Sequence, residues 1–166
     1  MVSTVGVRDA LGMEELAVRA RGRERVVVCN IAGSASDAAT VEVAAQLASL
    51  ARARLVLVAV APIAAHRQPD EHGWTLAEAR RALELTAETL AARAGVDCVL
   101  ELGNPTRRLV EVAAKKRALL LVVAAGGERG SATSIVAAGI ARSASCPVVV
   151  VPTEIGRPEL DAAPGA

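Results

Sequence analysis

Five short runs rich in Val, Leu and Ile recur along this chain, at Val26–Ile31, Leu55–Val60, Val96–Leu102, Leu119–Val123 and Pro147–Val151, and the stretches between them carry apolar residues at helical spacing. Runs of strand length that are apolar almost throughout are expected where both faces of a sheet are covered. Strands and helices that take turns with short connections form right-handed crossovers, and therefore a parallel sheet. The chain is thus expected to fold as one α/β domain, with helices on both faces of a five-stranded parallel sheet. Its 166 residues are enough to bury a core without disulfides or metals.

The helices are legible in the intervals. Residues 38–53 place Val41, Ala44, Ala45, Ala48 and Leu50 on one predicted helical face. Thr75 and Glu78 have capping-box spacing, and Leu76, Ala79, Leu83, Leu90 and Ala94 mark the face of a helix that Gly95 should end. Asn104 and Pro105 supply an N-cap and a first-turn proline to a helix bearing Leu109, Val110 and Ala113. Lys115, Lys116 and Arg117 at its far end oppose the helix dipole. Ile135–Ala144 is the last helix expected. Residues 1–24 read as an extension, with at most a short helix over Met13–Ala20, residues 25–152 as the folded domain, and residues 153–166, rich in Pro, Gly and Ala, as a flexible tail.

Composition removes several functional classes. Nineteen basic residues nearly balance eighteen acidic ones, so no field draws the chain to nucleic acid or to a membrane surface. There is no Phe or Tyr and a single Trp, Trp74, so no platform of aromatic rings awaits a nucleic-acid strand. The longest apolar run, Leu55–Ala65, is broken by Pro62 and is shorter than the ~20 residues of a membrane helix. No basic head followed by an apolar stretch opens the sequence, and a cytoplasmic location is expected. Cys29, Cys98 and Cys146 are odd in number and lie in or beside Val-rich segments, which suggests buried free thiols.

Open α/β sheets bind ligands beyond the carboxyl ends of their strands, where strand order reverses, which directs attention to the loops after the first and fourth strands. The first reads Ala32-Gly33-Ser34-Ala35-Ser36-Asp37, and the second runs from Ala124 through Gly126, Gly127 and Gly130 to Ser131, Thr133 and Ser134. Each precedes a helix, whose free N–H groups and dipole suit a phosphate. Ordinary N-capping, by Ser34 with Asp37 or by Ser36 alone, is sufficient explanation for the first loop. The second holds three glycines and three hydroxyls, more than a minimal turn needs.

Catalytic signals are sparse. His66 and His72, with Asp70 and Glu71 nearby, have a spacing that matches no ligand pair on a helix or strand, so no metal site is assigned. There is no nucleophile elbow, no suggested Cys/His pair and no Walker-type loop with its Lys. Arg129 is the one basic side chain of the second loop, and Glu128 the one carboxylate that could face a crevice there. No catalytic residue is assigned.

Taken together, the strand at Val26, Gly33-Ser34 and the helix to Leu50, then Gly103-Asn104-Pro105, the fourth strand and Cys146-Pro147-Val148-Val149-Val150-Val151-Pro152, resemble the universal stress protein family over roughly residues 25–152. The resemblance implies a Rossmann-like, three-layer α/β domain with strand order 3-2-1-4-5. It also implies a stress-related regulatory or binding module and a homodimer formed through the last strand, 147–151.

Family members that bind ATP carry an Asp at the end of the first strand and a Gly-x2-Gly-x9-Gly-Ser/Thr motif. In this sequence Ala32 stands at the Asp position. Aligning forward from the fourth strand puts Ala124 and Gly127 at the first two glycines. Aligning back from Cys146-Pro147 puts Ser134 and Ile135 at the last Gly and Ser/Thr, which leaves the loop about three residues short. A second register, through Gly127, Gly130 and Gly139, would shorten the last helix. The resemblance therefore implies a weak or degenerate site for ATP or AMP, built from Gly33, Ser34, Ala124, Gly126, Gly127, Gly130, Ser131 and Ser134. The alternatives are an interaction module that has lost the nucleotide, or a nucleotide-hydrolysing enzyme on the same fold.

Overall fold

The structure, a computed structural model, describes residues 24–34, 36–63, 74–91, 95–125 and 132–152, with the backbone alone for residues 132–134. Strands β1 (Val26–Ile31), β2 (Arg54–Ala61), β3 (Val96–Leu102), β4 (Leu120–Ala125) and β5 (Val148–Pro152) alternate with helices α1 (Asp37–Ala51), α2 (Leu76–Leu90), α3 (Pro105–Lys115) and α4 (Ala132–Ser143). All four strand pairings are parallel, in the order β3-β2-β1-β4-β5. The chain thus winds outward from β1 in one direction and then in the other, as a Rossmann-like domain does.

Every residue of β1 is buried, because it lies at the sheet centre with helices on both faces. Alternation along the strand divides the core in two. Val27, Cys29 and Ile31 join Leu55, Leu57 and Ala59 under Ala44 and Ala48 of α1 and Ala79 and Leu83 of α2. Val26 and Val28 join Val56, Val58 and Leu121 under Leu109 and Val112 of α3 and Ile140 of α4. With hardly any aromatic volume available, close helix approach compensates. A Cβ on Gly139 of α4 would meet Thr106 Cγ2 of α3 at 2.9 Å, so glycine there lets the two helices touch.

Helix ends follow local chemistry. The Thr75–Glu78 capping box closes reciprocally: Glu78 N–H donates to Thr75 Oγ1 (3.2 Å) and Thr75 N–H to the Glu78 carboxylate (2.6 Å). Asn104 Oδ1 accepts from Arg107 N–H at 3.0 Å, ahead of Pro105. At the amino end of the sheet, Arg54 bridges Glu24 (2.9 Å) and Asp97 (2.5 Å), tying the entry to β1 to β2 and β3. No described helix is long and apolar enough to cross a membrane.

Several expectations need correction. Leu50, assigned to the inner face of the first helix, is 83% exposed, because it lies about 100° around the helix from Ser49 and away from the Ala44–Ala48 stripe. The described part of α2 ends at Leu90 with its cap at Ala91, short of Gly95, and residues 92–94 lie outside the described residues. Helix α4 begins at Ala132, three residues before Ile135, and β4 continues two residues beyond Val123. Of the three free thiols only Cys29 is buried. Cys98 is exposed because β3 is an edge strand, and Cys146 is half-buried before β5. Residues 1–23 and 153–166 lie outside the described residues.

Burial raises the Cys29 thiol far above its ordinary range, and burial also raises Cys98 and Cys146. Because Cys98 is exposed and Cys146 half-buried, a thiol-reactive chromophore should label both in the folded protein, more slowly than a free thiol, and Cys29 only after denaturation. Leu57→Ala and Ile140→Ala, each in a fully buried position, should each cost about 2–5 kcal/mol in urea unfolding, whereas Leu50→Ala should change it by less than ~0.5 kcal/mol.

Candidate functional site

The crevice arises from a mismatch in strand pairing. β1 runs in register with β2 up to the pair Ile31↔Ala59, but its pairing with β4 stops at Cys29↔Val122. β4 instead continues beside β5 to Ala125↔Pro152. Beyond Cys29 and Val122 the two central strands part, and the chain leaves β1 toward α1 on one face and β4 toward α4 on the other. An open α/β sheet presents its ligand crevice at such a divergence.

On the β1 bank, the loop is organised by one carboxylate. Asp37 accepts hydrogen bonds from Ala32 N–H (3.1 Å), Gly33 N–H (2.8 Å) and the Ser34 hydroxyl (3.2 Å). Ser34 Oγ and Ser36 Oγ lie 2.6 Å apart. This corrects the capping expectation. Ser36 is the N-cap residue, but its side chain makes no cap hydrogen bond, and Asp37 is already the first helical residue. The carboxylate reaches back to the loop, while the Asp37 N–H donates to the Ser34 carbonyl at 3.1 Å. As an acid in the first turn it also complements the helix dipole.

Gly33 has φ +74°, a conformation that side chains disfavour, and its α-carbon lies directly under the ring of Trp74. An added Cβ would meet Trp74 Cε3 at 2.5 Å. The indole Nε1–H donates to the Val60 carbonyl near the end of β2, at 3.0 Å. Trp74 immediately precedes Thr75, so the α2 capping box holds its backbone in place.

Asn30, the residue before the end of β1, is only 7% exposed and points to the face carrying Val26 and Val28. Loop-centred reading of the sequence missed Asn30 and Trp74, and took Asp37 only as part of an N-cap. A polar residue closing an otherwise apolar strand, and a lone aromatic ring in a chain without Phe or Tyr, were the available signals.

On the β4 bank, Ala124 lies within the strand, paired with Val151 and buried. Gly126, Gly127, Gly130 and Ser131 lie outside the described residues, and Ser134 falls in the first turn of α4 with its side chain undescribed. Gly139, used by the second loop register, lies in the middle of α4 against Thr106. Gly33 and Ser34 flank the opposite bank. The His66–His72 loop is also outside the described residues, and no cluster of three metal-ligating side chains occurs among those described. A groove of about 320 Å³, lined by Ala45, Gln46, Ala48, Ser49, Leu55, Leu90 and Val96, lies at the amino ends of β2 and β3, remote from the crevice.

Fold and crevice together define a doubly wound α/β domain with a switch-point site between its central strands. The chain belongs to the universal stress protein family, whose model matches residues 22–152. Solved structures agree in fold. A universal stress protein in complex with cAMP shares 23% identity at a TM-score of 0.62, over 78% of this chain and 98% of that one. UspA from Lactobacillus plantarum shares 18% identity at a TM-score of 0.65, over 78% and 99%. The universal stress protein from Archaeoglobus fulgidus in complex with dAMP shares 19% identity at 0.61, over 77% and 97%. No curated protein matches the chain.

The Asp37 network should be measurable in stability. Asp37→Ala leaves two loop amides without their acceptor and should cost about 1–2 kcal/mol in chemical unfolding. Gly33→Ala combines a strained φ with displacement of the indole and should cost at least ~1 kcal/mol, with a red-shifted tryptophan emission that Asp37→Ala lacks.

Proposed function

We propose that this chain is a regulatory module that binds an adenine nucleotide, ATP or AMP, weakly in the crevice between β1 and β4, and signals by binding rather than by turnover. The observation that carries this reading is the parting of β1 and β4 after Cys29↔Val122, with a Gly/Ser segment leading into α4 on one bank. Backbone N–H groups of Gly126, Gly127, Gly130 and Ser131, with Ser134, would take the phosphates, and Gly33 and Ser34 would face the rest of the ligand. The relatives solved with cAMP and dAMP support this ligand class.

Weakness has two local causes. Ala32 offers no carboxylate to a ribose or base, and the Ala32 and Gly33 amides are already bonded to Asp37. Each lost charged or backbone hydrogen bond to a ligand is worth roughly 1–3 kcal/mol. The Asp37 carboxylate beside the crevice is taken up by the Ala32 and Gly33 amides and the Ser34 hydroxyl, which favours binding over a hydrolytic role. A cytoplasmic location accords with an odd number of cysteines.

Assembly is the second part of the proposal. β5 is an edge strand with Val150 43% exposed, and an apolar unpaired edge invites a partner. We propose that two copies pair through residues 147–151, so that the module is a homodimer with or without nucleotide.

Calorimetric titration of nucleotide-stripped protein with ATP, AMP and cyclic AMP should give a dissociation constant on the order of 0.1–1 mM for at least one of them. No heat at several millimolar ligand would leave the interaction module as the working account. Val150→Lys should shift the mass measured by light scattering from dimer to monomer while leaving the fold intact. A wild-type monomer at high protein concentration would remove the assembly proposal.

A further inference from the structure

The indole of Trp74 is a flat, fused five- and six-membered ring at the mouth of the crevice, stacked against the backbone of Gly33, with its one N–H directed at a main-chain carbonyl at the end of β2. A purine base with an exocyclic amine has the same three attributes: a fused bicyclic plane, faces that stack on backbone, and an N–H that can donate to a carbonyl. A nucleotide held with its phosphates at the amino end of α4 and its base toward the ends of β1 and β2 would bring that base to Gly33 and the Val60 carbonyl, where the indole already sits.

The packing also argues against the indole's being mere filler. Trp74 packs at the rim of the cluster that holds Ile31, Val41, Ala59 and Ala79 and stays half-buried itself, so part of the ring faces outward from the core. Gly33 has room for the ring only because it lacks a Cβ, and its φ of +74° turns its bare backbone toward it. The polar groups nearby are occupied as well: the Ala32 and Gly33 amides by Asp37, and the Val60 carbonyl by the indole itself.

We propose that Trp74 is the specificity-determining residue of the crevice, a built-in occupant of the base seat that a nucleobase must displace in order to bind. This rests on the nucleotide reading and deepens it. It adds the indole to Ala32 and the Asp37-bound amides as a cause of weak binding, and it restricts ligands to planar bases able to take over the Gly33 face and the Val60 carbonyl.

The test titrates full-length wild type, Trp74→Ala and Trp74→Phe with AMP by calorimetry, and follows wild-type tryptophan emission in parallel, with circular dichroism to confirm that each variant is folded. Trp74→Ala should bind AMP at least tenfold tighter than wild type. Trp74→Phe keeps a ring on Gly33 but lacks the donor to Val60, and should fall between; because it retains the ring, it preserves the test if the alanine variant does not fold. Wild-type emission should shift to the red as AMP is added, with the same midpoint as the heat, because the displaced indole enters water. Wild-type binding with no emission change, or variants that bind AMP equally or more weakly, would overturn this inference alone. Absence of AMP binding in all three proteins would overturn this inference, and absence of ATP and cyclic AMP binding as well would overturn the nucleotide reading with it.

Discussion

The structure depends on β1 having two parallel neighbours of unequal reach. Its six residues are buried on both faces, so this strand holds the two halves of the core together. Because β2 accompanies it to Ile31 while β4 leaves it after Cys29, the same strand that unites the sheet also opens it at one end. The crevice is therefore a consequence of topology. Chain reversal around β1 sends α1 and α4 to opposite faces, and no side chain needs to be sacrificed to make the gap.

The fold was legible because its signals are redundant. A run such as Val26–Ile31 could be strand or buried helix on periodicity alone, but its length, its β-branching and the Gly/Ser segment that follows agree. The Thr75–Glu78 and Asn104–Pro105 caps were readable for the same reason, since each depends on residues close in sequence. Leu50 misled because Ala-rich helices carry a weak apolar contrast. When nearly every position is small and apolar, one leucine on the wrong side does not disturb the pattern, and only packing shows which side faces the sheet.

The site was legible as a place and not as a mechanism. Gly33 and Ser34 were located as loop residues, but the reason for the glycine lies in Trp74, forty-one residues later in the chain, and no local pattern encodes that contact. Asp37 was read, with Ser34, as part of an ordinary N-cap. It acts backward, because a first-turn carboxylate can satisfy loop amides as readily as helical ones when the loop folds over it. Reading Ala32 as the missing carboxylate therefore gave only part of the picture. The loop keeps an acid, five positions on, and uses it to satisfy the amides that a ligand would otherwise meet.

A chain with no Phe or Tyr packs two aliphatic cores, and its single indole lies at the rim of one of them, over the turn that leaves β1. Burying that ring at the crevice fixes the entry to α2, supplies an N–H to the Val60 carbonyl and shields the exposed turn at Gly33. Each of those gains is lost if the ring swings out. Opening the crevice therefore costs the free energy of that contact, and a ligand binds only to the extent that its own base restores it. On a fold whose crevice comes from strand pairing, affinity is then set by a residue that belongs neither to the parting strands nor to the glycine loops beside them.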